Sequence, residues 1–164
     1  MLFSKKISEQ AEALLEACRA AGTKLVTAES CTGGLVAGCL TEIAGSSDVV
    51  ERGFITYSNE AKNEQLGVPM ETIARVGAVS PEVAEAMATG ALEHSRAGLA
   101  VSLTGIAGPG GATPGKPVGL VFIGSAKTGQ PTLSERHVFE GDRTAVRLAS
   151  VEAALDLLAR QLEA

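Results

Sequence analysis

The stretch from residue 25 to residue 41, LVTAESCTGGLVAGCLT, constrains the fold of this chain more than any other. A short apolar run that starts with Leu25 and Val26 gives way to small and polar residues, and then to Gly33 and Gly34. Apolar residues return at helical spacing, at Leu35, Val36, Cys39, Leu40 and Ile43. This order predicts a strand, a tight turn and a helix, with glycines that let the backbone pass close to a neighbour.

Ser30 lies in this turn, at the mouth of the predicted helix. The first N–H groups of a helix have no partner within it and carry partial positive charge, so they can hold a phosphate or the oxyanion of an acyl-transfer intermediate. A serine placed there either caps the helix with its hydroxyl group, which is the commoner role, or acts as a nucleophile. The turn alone leaves both roles open.

The rest of the chain alternates helical and strand patterns. Strands are predicted at 24–28, 49–57, 99–103 and 118–126. An edge strand at 132–139 is expected to form a hairpin with the last of them, and Asp142 to cap the final helix. Ser80-Pro81 marks another helix start. This order predicts a single α/β domain over residues 1–164, built as a three-layer α/β/α sandwich with a mixed β-sheet.

The charge balance argues against nucleic acid as a ligand. The chain has 14 Lys and Arg against 19 Asp and Glu, a net charge of -5 and a pI near 5.1. Binding to a phosphate backbone needs a basic face, so we expect no nucleic-acid partner. No apolar run reaches the roughly 18 to 20 residues that span a bilayer, and the start of the chain lacks the apolar core of a signal peptide. We therefore expect a cytoplasmic protein without a membrane partner.

The histidines and cysteines are too scattered to predict a metal site. Only His94 and His137 are present, in different predicted elements, and there is no Cys-x-x-Cys pair. Cys18, Cys31 and Cys39 form an odd set that fits reduced thiols better than a disulfide framework. Any hydrolysis by this chain is therefore expected to use side chains, without a metal or another cofactor.

A lysine and a tyrosine are the candidates that would activate Ser30. No histidine is placed for a catalytic triad, so the base must be a carboxylate, a tyrosine or a lysine. Lys62 lies in the first turns of a helix capped by Ser58 or Asn59, and burial in a cleft would lower the pKa of its amine toward working pH. Tyr57 ends the preceding strand, where it could relay a proton or hold that amine. From these residues alone, a solvated lysine and a core tyrosine are the commoner interpretation.

Two neighbours of Ser30 offer alternatives. Glu29 is a weaker candidate for the base, because adjacent strand residues point to opposite faces of a sheet. Cys31 could itself be the nucleophile, because a thiol at a helix start has a lowered pKa. No histidine is placed to pair with this thiol, which disfavours Cys31 as the nucleophile.

The segment GIAGPGGATPGKP at 105–117 is a second candidate part of the site. Five glycines and three prolines in thirteen residues exclude an element interior, and so long a loop is usually functional or disordered. The spacing of Gly105, Gly108 and Gly110 does not fit the dinucleotide fingerprint, so a cofactor of that class is not implied. The loop's N–H groups and the Thr104 hydroxyl suit a phosphate, a ribose or a carboxamide.

Two arginines lie four residues apart beside the start of the final helix. Arg143 and Arg147 can form a cationic clamp for a phosphate, or they can be exposed helix charges that pair with Glu140 and Asp142. Arg143 is the better candidate for the clamp.

Six blocks in one order resemble the CinA C-terminal domain family, the nicotinamide-nucleotide amidohydrolases. The blocks are TAESCTGG at 27–34, AGSSDVVERGFITYSNEAK at 44–62, GAVS at 77–80, TGIAGPGG at 104–111, KPVG at 116–119 and GDR at 141–143. The resemblance runs from about residue 7 to the end, and such a series is far more specific than a single motif. That family often carries this domain behind a larger N-terminal one, so the chain resembles the stand-alone form.

The resemblance implies hydrolysis of the carboxamide of nicotinamide mononucleotide, giving nicotinic acid mononucleotide and ammonia. Ser30 would attack the amide carbon, and Lys62 would take the serine's proton with Tyr57 assisting. The implied oxyanion donors are the N–H groups of Cys31, Thr32 and Gly33. The implied substrate-binding residues are Gly34, Thr104, Gly105, Gly108 and Arg143. Neither a cofactor nor a metal is implied.

Two other classes of function remain open: a pyridine-nucleotide sensor that binds without turnover, and a partner-interaction domain linked to competence or DNA damage. The surface composition bears on assembly in each case. A mean hydropathy of +0.19 with 20% charged residues leaves apolar surface that a chain of this size would usually bury against a copy of itself. We therefore expect a homo-oligomer, a dimer or a higher even number.

Overall fold

Five strands form one mixed sheet at the centre of the computed structural model, which describes residues 1–164. The strands are β1 (Leu25–Glu29), β2 (Val50–Ile55), β3 (Leu99–Gly105), β4 (Leu120–Lys127) and β5 (Leu133–Val138). Their order across the sheet is β2-β1-β3-β4-β5. β1 runs parallel to β2 and β3, whereas β3, β4 and β5 pair antiparallel. The parallel pairs need crossover connections, which here contain helices.

Six α-helices cover the two faces of this sheet. They are α1 (Lys5–Ala21), α2 (Leu35–Thr41), α3 (Asn59–Leu66), α4 (Met70–Val76), α5 (Pro81–Glu93) and α6 (Arg143–Glu163). α1, α2 and α6 pack together on one face, and α3, α4 and α5 form the layer on the other. The predicted three-layer α/β/α sandwich is therefore confirmed. None of these helices combines the length and the apolarity that crossing a bilayer requires.

Side-chain caps define the starts of the helices that matter for the site. Ser58 caps α3 by accepting a hydrogen bond from the N–H of Ala61, which decides between the two predicted caps. The predicted caps of α5 and α6, Ser80 and Asp142, accept in the same way from N–H groups three residues further on. α3 therefore begins immediately after β2 and carries Lys62 in its first turns.

The alternation of side chains along β1 sets the two faces of the site. Leu25 packs with α1, α2 and α6, whereas Val26 and Ala28 pack with α3, α4 and α5. Glu29 continues on the first face and Ser30 on the second. Glu29 at the end of β1 and Ser30 directly after it therefore point to different helices.

Contacts at both ends of α3 fix its position. The strand predicted at 49–57 ends at Ile55, and the carbonyl groups of the next two residues, Thr56 and Tyr57, accept hydrogen bonds from the Lys62 amine of α3. At its other end α3 lies against α5, where a Cβ at Gly90 would overlap the carbonyl oxygen of Leu66. Because Gly90 has no side chain, α3 can pack directly against α5.

Candidate active site

Ser30 directly follows β1, and its hydroxyl group is turned toward α3. Its N–H donates to the carbonyl of Leu103 at 3.0 Å, and the residue is 8% exposed. The helix-cap role that the sequence left open is wrong, because α2 begins only at Leu35 and its N-terminal cap is Gly34, at a φ of 105° and without a side-chain hydrogen bond. The Ser30 hydroxyl group is therefore free of a capping role.

Glu29 replaces the missing cap of α2. Its buried carboxylate accepts hydrogen bonds from the Thr32 hydroxyl at 2.6 Å, the Val36 N–H at 2.9 Å and the Ala37 N–H at 3.1 Å. The sequence analysis did not anticipate this role. The available signal was an acidic residue before a turn whose following helix has no Ser, Thr, Asp or Asn directly in front of it. Three donors occupy this carboxylate on the face opposite Ser30, which disfavours Glu29 as the base.

Lys62 reaches from α3 to Ser30 through the interior of the protein. Its Nζ atom lies 3.1 Å from Ser30 Oγ, 2.9 Å from the Thr56 carbonyl oxygen and 3.2 Å from the Tyr57 carbonyl oxygen. Lys62 is only 2% exposed, and no carboxylate forms a salt bridge with it. Burial lowers the pKa of the Lys62 amine, and the nearby Cys31 opposes this effect in part.

Three oxygen atoms surround the Lys62 amine, and both of its protonation states can satisfy them: an ammonium group donates to all three, and a neutral amine donates to two. A neutral amine has two N–H donors and one lone pair. The two main-chain carbonyl groups can accept both donors, which leaves the lone pair directed at the hydroxyl group of Ser30. The structure thus brings together the serine and the lysine that the sequence paired.

Cys31 is a buried thiol in the wall of the same cavity. It is 6% exposed, and burial raises the pKa of its thiol to about 11. The lowered pKa considered from the sequence is therefore wrong, because α2 starts four residues later and desolvation dominates. The group remains a thiol near neutral pH, which argues against Cys31 as the nucleophile.

The oxyanion donors expected from the sequence divide into two groups. The Gly33 N–H donates to the Ser30 carbonyl at 3.0 Å, so it is already engaged within the turn. Gly34 does not line the cavity and lies beside the Ile55 side chain, so its place in substrate binding stays a prediction. The N–H groups of Cys31 and Thr32 make no main-chain hydrogen bond, and they are the remaining donors next to the serine.

Ser30 and Lys62 open into a cavity of about 290 Å³. Predicted residues that line it are Ser30, Cys31, Tyr57, Lys62, Thr104, Gly105, Gly108 and Arg143. Four of the other lining residues belong to the glycine-rich loop that the sequence predicted as part of the site: Ile106, Ala107, Gly110 and Gly111. The sequence analysis did not place Asn59, Ala78 or Val79 in the site. Thr104 donates its hydroxyl hydrogen to the Ala78 carbonyl at 2.8 Å, which leaves its oxygen as an acceptor.

Tyr57 links the two sides of this cavity. Its carbonyl accepts from Lys62, as described above, whereas its hydroxyl group accepts from Arg143 at 3.2 Å. Arg143 also donates to the carbonyl of Gly108 at 2.8 Å. Tyr57 therefore holds the lysine's amine through its main chain, while its side chain contacts the arginine that begins α6.

Arg147 lies behind the turn rather than in the cavity. Its guanidinium donates through Nε to the Cys31 carbonyl and through Nη2 to the Thr32 carbonyl, both at 3.2 Å. The sequence made Arg147 the weaker candidate for a phosphate clamp, and its donors are directed at the main chain beside the serine. This contact was not foreseen.

Comparison with known proteins places these residues in a family context. The sequence profile of the CinA C-terminal domain matches residues 7–162. Nicotinamide-nucleotide amidohydrolase PncC of Escherichia coli is 48% identical over 160 residues, which cover 98% of this chain and 97% of that protein. The CinA-like protein of Chloroherpeton thalassium is 50% identical over 152 residues, which cover 91% of this chain but only 36% of that longer protein.

A solved structure is similar throughout. The crystal structure of competence/damage inducible protein CihA from Agrobacterium tumefaciens superposes with a TM-score of 0.97 at 48% identity, and covers 100% of this chain and 99% of that one. The CinA superfamily protein ECK1530/EC0983 from Escherichia coli gives a TM-score of 0.91 at 33% identity, over 98% of this chain and 94% of that one. The likeness therefore extends over the whole domain.

Proposed function

This chain belongs to the CinA C-terminal domain family, and we propose that it hydrolyses the carboxamide of nicotinamide mononucleotide to nicotinic acid mononucleotide and ammonia. The amidohydrolase PncC is similar over nearly the full length of both chains, which supports this reaction for a protein of this size. The observation that carries the mechanism is the contact of a buried, carboxylate-free lysine amine with a serine hydroxyl at 3.1 Å, inside a cavity.

In the first half-reaction, the Ser30 hydroxyl oxygen attacks the amide carbon, and its proton passes to the neutral amine of Lys62. The lowered pKa of that amine supports this role, because a lysine can serve as a base only when it is unprotonated. The Cys31 and Thr32 N–H groups hold the oxyanion. Lys62 then gives the proton to the departing nitrogen, which leaves as ammonia, and Ser30 becomes acylated.

In the second half-reaction, water attacks the acyl group while Lys62 takes one of its protons. Collapse of the intermediate breaks the bond to Ser30 Oγ, which recovers its proton, and nicotinic acid mononucleotide is released. No step of this scheme uses a metal or a cofactor. The cavity wall formed by Thr104, Gly105, Gly108 and Arg143 binds the ribose and the phosphate, with the Arg143 guanidinium as its cation.

The test is incubation of the purified protein with nicotinamide mononucleotide, with ammonia and nicotinic acid mononucleotide both measured. We expect equal amounts of the two products, none from Ser30→Ala, and full activity from a Ser47→Ala variant, because Ser47 is an exposed residue of the 3-10 turn Ser46–Asp48. Mononucleotide binding without ammonia would point to the sensor alternative. Neither binding nor turnover would point to a partner-interaction domain.

We also propose that the protein acts as an even-numbered homo-oligomer in the cytoplasm. Large apolar side chains are exposed, including Ile55, Tyr57 and Val138, and a second copy could bury them. All three cysteines are free thiols, which fits a reducing compartment. A monomeric mass by light scattering at micromolar concentration would overturn the oligomer.

A further inference from the structure

Arg147 uses its guanidinium in an unusual way for a half-buried arginine. It forms no salt bridge with any carboxylate. Two donors from one guanidinium instead bind two successive carbonyl groups, those of Cys31 and Thr32. These carbonyl groups belong to the turn that follows Ser30, so the whole charge of Arg147 acts on the main chain beside the candidate nucleophile.

The planarity of the peptide bond fixes what this contact does. In a trans peptide the carbonyl group and the next residue's N–H point in opposite directions. With the Cys31 and Thr32 carbonyl groups turned to Arg147, the N–H groups of Thr32 and Gly33 must point away from it. The Gly33 N–H does so, because it reaches the Ser30 carbonyl. The Thr32 N–H likewise points away from Arg147, and it has no main-chain acceptor.

Glu29 holds the turn from its other end. Its carboxylate binds the Thr32 hydroxyl and the first N–H groups of α2, so an anion holds donors while Arg147 holds acceptors. A cation bound to a carbonyl oxygen also polarises that peptide and strengthens its N–H as a donor. The Cys31–Thr32 peptide is therefore fixed in direction and polarised, with its N–H on the side away from Arg147.

We propose that Arg147 is a positioning residue that aims the Thr32 N–H at the oxyanion formed on Ser30, and increases its strength as a donor. The proposal rests on the serine mechanism above. Arg147 does not line the cavity, so it acts on the transition state through the peptide and not on the bound substrate. Its loss should therefore lower kcat and leave KM nearly unchanged.

Arg147→Ala tests this role directly. We expect kcat to fall by about 10- to 100-fold, somewhat less than the loss of an oxyanion donor itself, with KM within about 3-fold. Arg147→Lys should recover little of it, because one ammonium group cannot reproduce the two-pronged contact with both carbonyl groups. Added guanidinium ion at millimolar concentration should restore part of the kcat of Arg147→Ala, whereas ammonium ion should not.

Arg160→Ala is the matched control on the same helix. Arg160 forms its ion pairs with Glu135 and Asp156 on the surface, so this variant should keep its kcat and KM. Circular dichroism and thermal unfolding of both variants separate misfolding from mispositioning. An Arg147→Ala protein with wild-type kcat would overturn the proposal, and so would a rise in KM with kcat unchanged.

A second readout does not depend on nicotinamide mononucleotide. A phosphonofluoridate transfers its phosphonyl group to a reactive serine oxygen with loss of fluoride, and its phosphoryl oxygen needs the same N–H donors. Mass spectrometry should show slower labelling of Ser30 in Arg147→Ala than in the wild-type protein. Slower labelling in a protein without amidohydrolase activity would support the role of Arg147 while refuting the substrate. Equal rates, or a wild-type Ser30 that is never labelled, would overturn it.

Discussion

The two walls of the cavity are built in opposite ways. On the wall that carries Ser30, the residues from Leu25 to Thr32 are all buried, and side chains from β1, α3 and α6 bind the turn. On the facing wall, residues 109–115 are exposed. That loop is tied by a few contacts, such as the Lys116 ammonium on the Val76 carbonyl at 2.7 Å and the Arg143 guanidinium on the Gly108 carbonyl.

The wall that carries Ser30 is suited to the chemical step, and the wall formed by the loop is suited to substrate binding. Attack by a hydroxyl group needs the base and the oxyanion donors fixed to within a fraction of an ångström, so that wall is densely hydrogen-bonded. A loop with few buried contacts opens at low free-energy cost and can adapt to a ribose and a phosphate. Substitutions on the first wall should therefore change kcat, and those on the second should change KM.

The largest effect is expected from Ser30→Ala. Ammonia release should fall by about 10⁴-fold or more, because Ser30 carries the one hydroxyl group in contact with the Lys62 amine. Mononucleotide affinity, measured by calorimetry, should stay within a few fold, because the opposite wall is intact. Residual activity near the wild-type level would remove Ser30 as the nucleophile.

Replacement of Lys62 should come next. Lys62→Arg and Lys62→Met should both lower kcat by about 10²- to 10⁴-fold, because a guanidinium stays protonated at every usable pH and cannot accept the serine's proton. In the wild-type protein, the acidic limb of the pH–rate profile should rise through the lowered pKa of Lys62. Substantial activity in the arginine variant would show that this lysine acts only as a charge.

The same pKa shift predicts how stability depends on pH. Between the lowered folded-state pKa of Lys62 and the ordinary lysine value of 10.5, the unfolded chain binds more protons than the folded chain. The wild-type free energy of unfolding should gain a contribution as the pH rises through that window, and lose it as the pH falls. Lys62→Met lacks this group, so its stability relative to the wild type should be greater at pH 7 than at pH 10. Urea titrations at the two pH values test the sign.

Arg143→Ala tests the wall of the cavity that is expected to bind the substrate. KM should rise by about 10- to 100-fold, the cost of losing a charge-assisted hydrogen bond to the phosphate, with kcat changed far less. Arg136→Ala, an exposed arginine of β5, is the matched control and should behave as wild type. A fall in kcat of the same size as the rise in KM would place Arg143 in the chemical step.

Tyr57→Phe should have the smallest effect of these substitutions. The substitution keeps the main-chain carbonyl that binds Lys62 and removes only the hydroxyl group that binds Arg143. KM should rise by about 2- to 10-fold while kcat remains close to the wild-type value. A large loss of kcat would instead support proton relay through the phenol.

Local patterns predicted the elements well and their long-range contacts less well. The helix starts at Ser58, Ser80 and Asp142 follow from capping chemistry within three residues, so the sequence contains the whole signal. The pairing of Ser30 with Lys62 followed from the resemblance of the blocks that contain them to the family. Both depend on short stretches of chain whose geometry is nearly fixed.

The turn itself could not be derived in the same way. Whether an N–H points into a cavity or into its own turn depends on a rotation of one peptide, which residue types do not determine. The sequence analysis therefore expected Gly33 and Gly34 to contact the substrate. In the structure the Gly33 N–H binds the Ser30 carbonyl, and Gly34 lies beside Ile55. The capping role of Glu29 and the carbonyl contacts of Arg147 depend on how β1, α2 and α6 meet, which is a tertiary property.

Because α3 approaches α5 closely at Gly90, a substitution there that is meant to stabilise α5 would damage the active site. Helix propensity alone would recommend alanine there, with an expected gain of about 1 kcal/mol. The added methyl group would overlap the Leu66 carbonyl and push α3 away from α5. Lys62 lies on α3, one turn before Leu66, and would move with it. A protein designer following propensity tables would thus separate the lysine from its serine without altering a single residue of the cavity.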